Sequence, residues 1–312
     1  MFRYLRARLL RAVPVLFGVS VLVFSMLHFL PGDPATLILG ESTAASADAV
    51  DRLREQLGLN APLYVQYWRF ISRAVRGDFG TSVSTHQPVT QMILDVLPST
   101  FQLTFAAMFT AIVLGLTLGS LAAVKQNTWV DSLSILLASL GVSMPIFWFG
   151  LILIYLFSIQ LGWFPVTGQG GLNRLVLPSI ALGAGATGII ARLVRSSLLE
   201  VLRQDYIQTA RAKGLRDRTV VLRHGLRNAL IPVVTIIGLQ FGALLGGAVI
   251  TETVFSRQGI GRLAVNAILR KDFPLVQGTV MLTAVTYVAV NLLVDLSYAL
   301  LDPRIRYGNE NG

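Results

Sequence analysis

The sequence predicts an all-α, polytopic membrane protein with six transmembrane helices. Three observations carry this expectation. The 312 residues are 54% hydrophobic and only 13% charged, about half the charged share of an ordinary soluble domain. Apolar stretches near the roughly 20 residues that a helix needs to cross a bilayer recur along the whole chain. None of them shows the short alternation of barrel strands.

The first stretch, about Leu9–Leu30, follows Arg3, Arg6, Arg8 and Arg11. It imitates a signal peptide but exceeds the 7–15 apolar residues of a cleavable core. Ala45-Ser46-Ala47 has the form of a cleavage site but lies well beyond it, so the stretch reads as a retained span. The second is about Thr100–Val124, inside a charge-free run. The third runs from near Leu133 to near Leu161, where Gly162 and Pro165 begin turn chemistry. The fourth, fifth and sixth are about Val176–Val194, Ala229–Ile250 and Gln277–Leu301. Between the first two, Ala47–Leu57 and Leu63–Val75 read as short amphipathic helices, with Ser46 as a candidate N-cap.

Basic residues orient the chain. With both termini inside, the inner side holds Arg3, Arg6, Arg8, Arg11, Lys125, eight basic residues from Arg195 to Arg227, and Arg304 and Arg306. The outer side outside the long first loop holds only Arg174, Arg257, Arg262, Arg270 and Lys271. The expected organisation is therefore an N-tail and first span (1–30), an extracytoplasmic loop (31–95), a five-helix core (96–301) with an inner loop (195–228), and a cytoplasmic tail (302–312).

The chain carries no engine. A phosphate-binding Gly-x-x-x-x-Gly-Lys-Ser/Thr loop is absent, since Lys125, Lys213 and Lys271 all lie in other settings. His-Glu-x-x-His and Gly-x-Ser-x-Gly are absent too, and there are no cysteines. No catalytic, cofactor-binding or metal-binding residue is expected. The net charge of +10 sits in clusters between apolar runs, which points to membrane lipid rather than nucleic acid.

Inside the spans, Asp295 and Asn291, one turn apart, are either a gate or ion relay or a buried polar contact. Pro145 should kink the third span, which would let it line a pathway or simply pack. Gly238, Gly242 and Gly246 repeat every four residues on one face. They suit close helix packing, within this chain or against a second one.

The inner loop is the most informative segment. Leu199–Lys213 is rich in helix formers, Gly214 is a helix stop, and a second short helix is expected from Arg218 to Asn228. A solvated basic loop needs no such layout. A rigid element pressed by a cytoplasmic partner does.

Here the chain resembles the permease subunits of bacterial ABC importers. Their inner loop carries Glu-Ala-Ala, then Gly after three residues; this chain has Gln208-Thr209-Ala210 and then Gly214. The departures match the variant of dipeptide, oligopeptide, glutathione and nickel importers, as do Asp205-Tyr206-Ile207 and Asn228-Ala229-Leu230-Ile231-Pro232. Further matching segments are Leu30-Pro31-Gly32-Asp33-Pro34, Leu57-Gly58-Leu59, Gly77-Asp78-Phe79-Gly80, Leu244–Val249 and Asp302-Pro303-Arg304-Ile305-Arg306. The long loop after the first span is that of the B-type subunit.

The resemblance implies a type I importer permease in the bacterial inner membrane. It would pair with a C-type permease, two ATP-binding-cassette ATPases that hold ATP and Mg, and an extracytoplasmic substrate-binding protein. The ATPase-coupling residues would be Asp205, Tyr206, Thr209, Ala210, Ala212 and Gly214. Phe255, Arg257, Gln258 and Gly259 would face the binding protein, and Pro145, Gly242, Gly246, Asn291 and Asp295 are the gate or packing candidates. A stand-alone ion-coupled secondary transporter is the alternative. Among solutes, dipeptides, longer peptides, glutathione and nickel chelates stay open, with glutathione or a short peptide preferred.

Overall fold

The computed structural model describes residues 2–29, 36, 47–57 and 60–301. Its elements are α1 (Phe2–Phe29), α2 (Ala47–Leu57), α3 (Leu63–Val75), α4 (Val89–Val124), α5 (Trp129–Ser143) and α6 (Ile146–Leu153), which runs on through a π-helical turn Ile154–Gln160. After these come α7 (Asn173–Leu202), α8 (Asp205–Ala212), α9 (Asp217–Thr219) with a π-helical turn Val220–Gly225, α10 (Leu226–Val254), α11 (Ile260–Leu269) and α12 (Phe273–Leu301). The described residues form no strand beyond an isolated bridge between Thr81 and Pro88.

Among the described residues, five helices are long and apolar enough to cross a membrane. The third expected span is broken: Trp129–Ser143 and Ile146–Gln160 meet at 115°, and make a sixth crossing only if taken together. Met144 and Pro145 are both extended at the break (ψ 139 and 137). Proline disfavours helical backbone at the residue before it, so the chain turns there rather than kinking gently.

The inner loop differs from its expected layout in two ways. Leu199–Lys213 is not one helix, because Gln204 is extended (ψ 148) and separates α7 from α8. The helix expected over Arg218–Asn228 does not stand alone but runs into α10 without a break. Gly225 keeps helical backbone there (φ −75). Its missing side chain serves packing, since a Cβ would sit 3.2 and 3.3 Å from Leu198 and Leu202.

The described residues divide into two compact units: Met1–Pro98 with Gly259–Gly312, and Ser99–Gln258. In the first, α3 lies on α1 through Tyr67, whose hydroxyl is 2.8 Å from Ser20 Oγ and whose ring meets Phe24 edge-on. Gln277 of α12 donates to the Val23 carbonyl of α1. Val89, Ile93, Ile260, Ala267, Leu275 and Val276 form its core. The Gly77–Gly80 segment is a turn: Gly77 and Gly80 have φ of 77 and 79, and the Asp78 carboxylate accepts the Gly80 N–H at 2.9 Å. This turn places Phe79 under Gly278 of α12, where any Cβ would be 3.1 Å from it.

In the second unit α7 is central, with 67% of its most apolar window buried. Small residues let its neighbours approach. A Cβ at Gly188 would lie 2.4 Å from the Ala138 carbonyl oxygen of α5, and one at Gly119 of α4 2.5 Å from the Ala191 carbonyl oxygen. Such approaches are how helices associate in lipid, where packing replaces the hydrophobic drive.

Candidate functional site

The helix α8 buries one residue and leaves most of the others exposed. Ile207 is fully buried (0% exposed). Asp205, Gln208, Thr209, Arg211 and Ala212 are exposed, and Ala210 is half-buried. Thr209 Oγ1 donates to the Asp205 carbonyl within the helix at 2.9 Å. Asn228 Nδ2 donates to Tyr206 Oη at 2.8 Å, tying α8 to the start of α10. Gly214 has φ 78, a left-handed conformation that glycine adopts freely. Its N–H donates to the Arg211 carbonyl at 2.9 Å and closes the helix. The result is a short, mostly exposed helix anchored by buried Ile207 and by the Tyr206–Asn228 hydrogen bond.

Two turns back from the end of α7, Arg195 makes a two-pronged ion pair. Its Nε and Nη2 donate to Asp131 Oδ1 and Oδ2, both at 2.7 Å. The backbone N–H of Asn127 donates to Asp131 Oδ2 at 3.0 Å. The paired forks fix α5 against α7 in direction as well as distance. Sequence reasoning counted Arg195 as a loop charge and passed over Asp131. A lone acid just ahead of an apolar run was the available signal.

The turn after α10 is built inward. Phe255 is 2% exposed and packs with Leu153, Ile154, Leu177 and Ala181. Arg257 is 1% exposed. Its Nη1 and Nη2 have long contacts, 3.4 Å each, to the Arg174 carbonyl and Gln102 Oε1, and its Nε has no hydrogen-bond partner among the described residues. Burial pulls the guanidinium pKa below its ordinary value, and the charge of Glu252 opposes that pull. Glu252 is itself buried and accepts from Thr100 Oγ1 at 2.6 Å. Of the four residues expected to face a binding protein, Gln258 alone is exposed; Gly259 is buried.

The gate and packing candidates lie on several elements. Pro145 sits at the 115° break. Gly242 is buried, whereas Gly246 is exposed with no atom within 4 Å of a built Cβ. The close helix approaches lie on α7 instead. Asn291 is half-buried, and the side chain of Asp295 lies outside the described residues. Ser46, Leu30–Pro34, Gly58-Leu59 and Asp302–Arg306 lie outside them as well.

Five or six described helices long and apolar enough to cross a bilayer define a multi-pass integral membrane protein. A family model described as "Binding-protein-dependent transport system inner membrane component" matches residues 115–307, and the N-terminal model of such components matches residues 1–104. The chain belongs to this family and is a permease subunit of an ATP-binding-cassette importer. It is 47% identical over 307 residues to the Glutathione transport system permease protein GsiC of Escherichia coli (strain K12), covering 98% of this chain and 100% of that one. The protein of that name from Shigella dysenteriae serotype 1 is equally similar. Among solved structures, the MetNI methionine ABC transporter in an inward-facing form matches with a TM-score of 0.55 at 20% identity, over 68% of this chain and 97% of that chain. An amino acid ABC transporter crystallised with histidines matches with a TM-score of 0.51 at 17% identity, over 69% and 94%. At these identities the two structures show the fold.

Proposed function

We propose that this chain is one of two permease subunits that form an import pathway for glutathione or short peptides in the bacterial inner membrane. It crosses six times with both termini in the cytoplasm, the bent α5–α6 pair counting as one crossing. Its partners are a C-type permease, two ATPases that hold Mg and ATP, and an extracytoplasmic binding protein. Near-full-length identity to glutathione permeases supports the solute class. Membership in a binding-protein-dependent family leaves the ion-coupled alternative without support.

The observation that carries the reading is α8, exposed along its length and anchored by Ile207. ATP binding closes the ATPase pair on this helix, with Asp205, Tyr206, Thr209, Ala210, Ala212 and Gly214 at the contact. The push passes to α7, only two residues away. The Asp131–Arg195 fork then carries it to α5. Switching a two-state pathway from 1:99 to 99:1 takes about 5.5 kcal/mol of differential binding. A packed helix delivers such a bias where a flexible loop would dissipate it.

The test is the reconstituted five-subunit importer in vesicles, with uptake and ATP turnover measured for glutathione and for dipeptides. Ala210→Trp and Gly214→Asp should abolish solute-stimulated turnover while the subunits still co-purify. Full uptake by both variants would remove α8 from the coupling path. Failure of the binding protein to hold either solute would overturn the solute class alone.

A further inference from the structure

Helix α3 has three faces. Tyr67 and Phe70 pack on Phe17, Ser20 and Phe24 of α1. Tyr64, Trp68 and Val75 form a second, exposed stripe at 75%, 71% and 83%. Arg69, Arg73 and Arg76 form a third, also exposed. At 3.6 residues per turn the apolar faces adjoin and the arginine stripe lies across from them. There is no Asp or Glu on the helix, and the nearest acid after it, Asp78, caps the Gly80 turn.

Depth follows from the α1 contacts. The apolar span of α1 is Arg8–Met26. Phe17, Ser20 and Phe24 all lie inside this span. A helix resting on them lies within the depth of the bilayer, not above the headgroups. Trp and Tyr favour the membrane–water interface, and arginines on the polar arc of such a helix reach phosphates.

We infer that α3 lies in the membrane interface at the Met26 end of α1. Tyr64 and Trp68 are immersed among acyl chains, and Arg69, Arg73 and Arg76 bind the phosphates of anionic phospholipid. A protein partner would need a carboxylate-lined seat for three arginines spaced over two turns. The bilayer supplies that charge at the required depth.

The chain has no cysteine, so Trp68→Cys gives it a unique thiol for a nitroxide. The labelled importer, with cysteine-free partner chains, is placed in vesicles of phosphatidylethanolamine and phosphatidylglycerol. The label should relax more with oxygen than with a water-soluble nickel chelate, at headgroup-edge depth. Greater access for the chelate would mean an aqueous face and overturn the inference. Protection from both would mean a protein seat, and overturn it equally. Separately, Arg69→Gln/Arg73→Gln/Arg76→Gln should lose the phosphatidylglycerol retained in native mass spectra, and the triple Lys variant should keep it. Unchanged retention in the Gln variant would refute the headgroup contact, and the Trp68 depth stands apart from how well that variant folds.

Discussion

Two segments look alike in sequence and are built in opposite ways. Asp205–Gly214 and Phe255–Gly259 each follow a long apolar helix, carry at least one basic residue and end on glycine. In the first, the charged and polar residues are outside and one isoleucine is inside. In the second, the arginine and phenylalanine are inside and one glutamine is outside. The difference lies in what compensates the charge. Arg211 is exposed to solvent and meets the exposed Asp217 carboxylate at 3.3 Å. Around Arg257 there are Glu252, a carbonyl and an amide oxygen. A polar residue in a loop is therefore no guide to a surface unless its partners are known.

The largest expected effect tests the inward-built turn. Glu252→Ala removes a charge that favours the buried Arg257 guanidinium and the carboxylate that accepts from Thr100. Losing the partner of a buried polar group costs about 1–3 kcal/mol, more for a charged one. The purified subunit should melt at a clearly lower temperature in detergent. Glu252→Gln, which still accepts from Thr100, should fall in between. Wild-type melting in both would show that Arg257 is compensated elsewhere.

The matching test on the outward-built loop is Ile207→Ala. Emptying a packed isoleucine site costs about 2 kcal/mol or more, but here the loss is local. Proteolysis at Arg211 and Lys213 should accelerate and coupled uptake should fall, while the global melting temperature barely moves. A global drop as large as that of Glu252→Ala would erase the contrast between the segments.

Gly214→Ala is smaller. A side chain in the left-handed region costs roughly 1–2 kcal/mol, and Gly214→Asn less, because Asn tolerates that region. Uptake should rank Gly, Asn, Ala. Equal uptake would show that the left-handed stop does not position α8.

Asp272 sharpens the comparison from the first unit, because hydrogen bonds rather than a charge offset its burial. Burial alone would raise its pKa. Ser82 and Ser84 hydroxyls and the Ser84 and Val83 N–H groups outweigh that and hold it below the ordinary 3.8. A depressed carboxyl contributes stability that is fully present above its unfolded pKa. That stability is lost as pH falls through the lower folded pKa. Asp272→Asn should therefore be less stable at neutral pH and lose less on acidification below 3.8. Parallel acid-melting curves would refute this.

The crossings were legible because apolar length is set by bilayer thickness, whatever the packing. The α8–Gly214 layout was legible because helix stops are local. The 115° break was not, since Pro145 announces a break but tertiary packing sets its angle. The Asp131–Arg195 ion pair and the Thr100–Glu252 hydrogen bond join residues on different helices, and nothing local signals them. The glycines of α10 drew notice through their spacing. Gly188 and Gly141 on the tighter α5–α7 contact lack that regularity, because each answers one neighbour's carbonyl.

The smallest effect belongs to Gln258. Its side chain is exposed, while its carbonyl accepts from Gln169 Nε2 at 3.2 Å, which holds the turn in place. Surface substitutions of this kind change stability by within about 0.5 kcal/mol, so Gln258→Cys should melt like the parent. If the inward-built turn still meets the binding protein, it does so here, through a residue supported from below by Arg257 and Phe255. A short bifunctional reagent at position 258 should then capture the binding protein in the solute-loaded, ATP-bound importer. Absence of capture in every nucleotide state would make the turn purely internal, with all of its polar chemistry directed to Glu252 and Arg257.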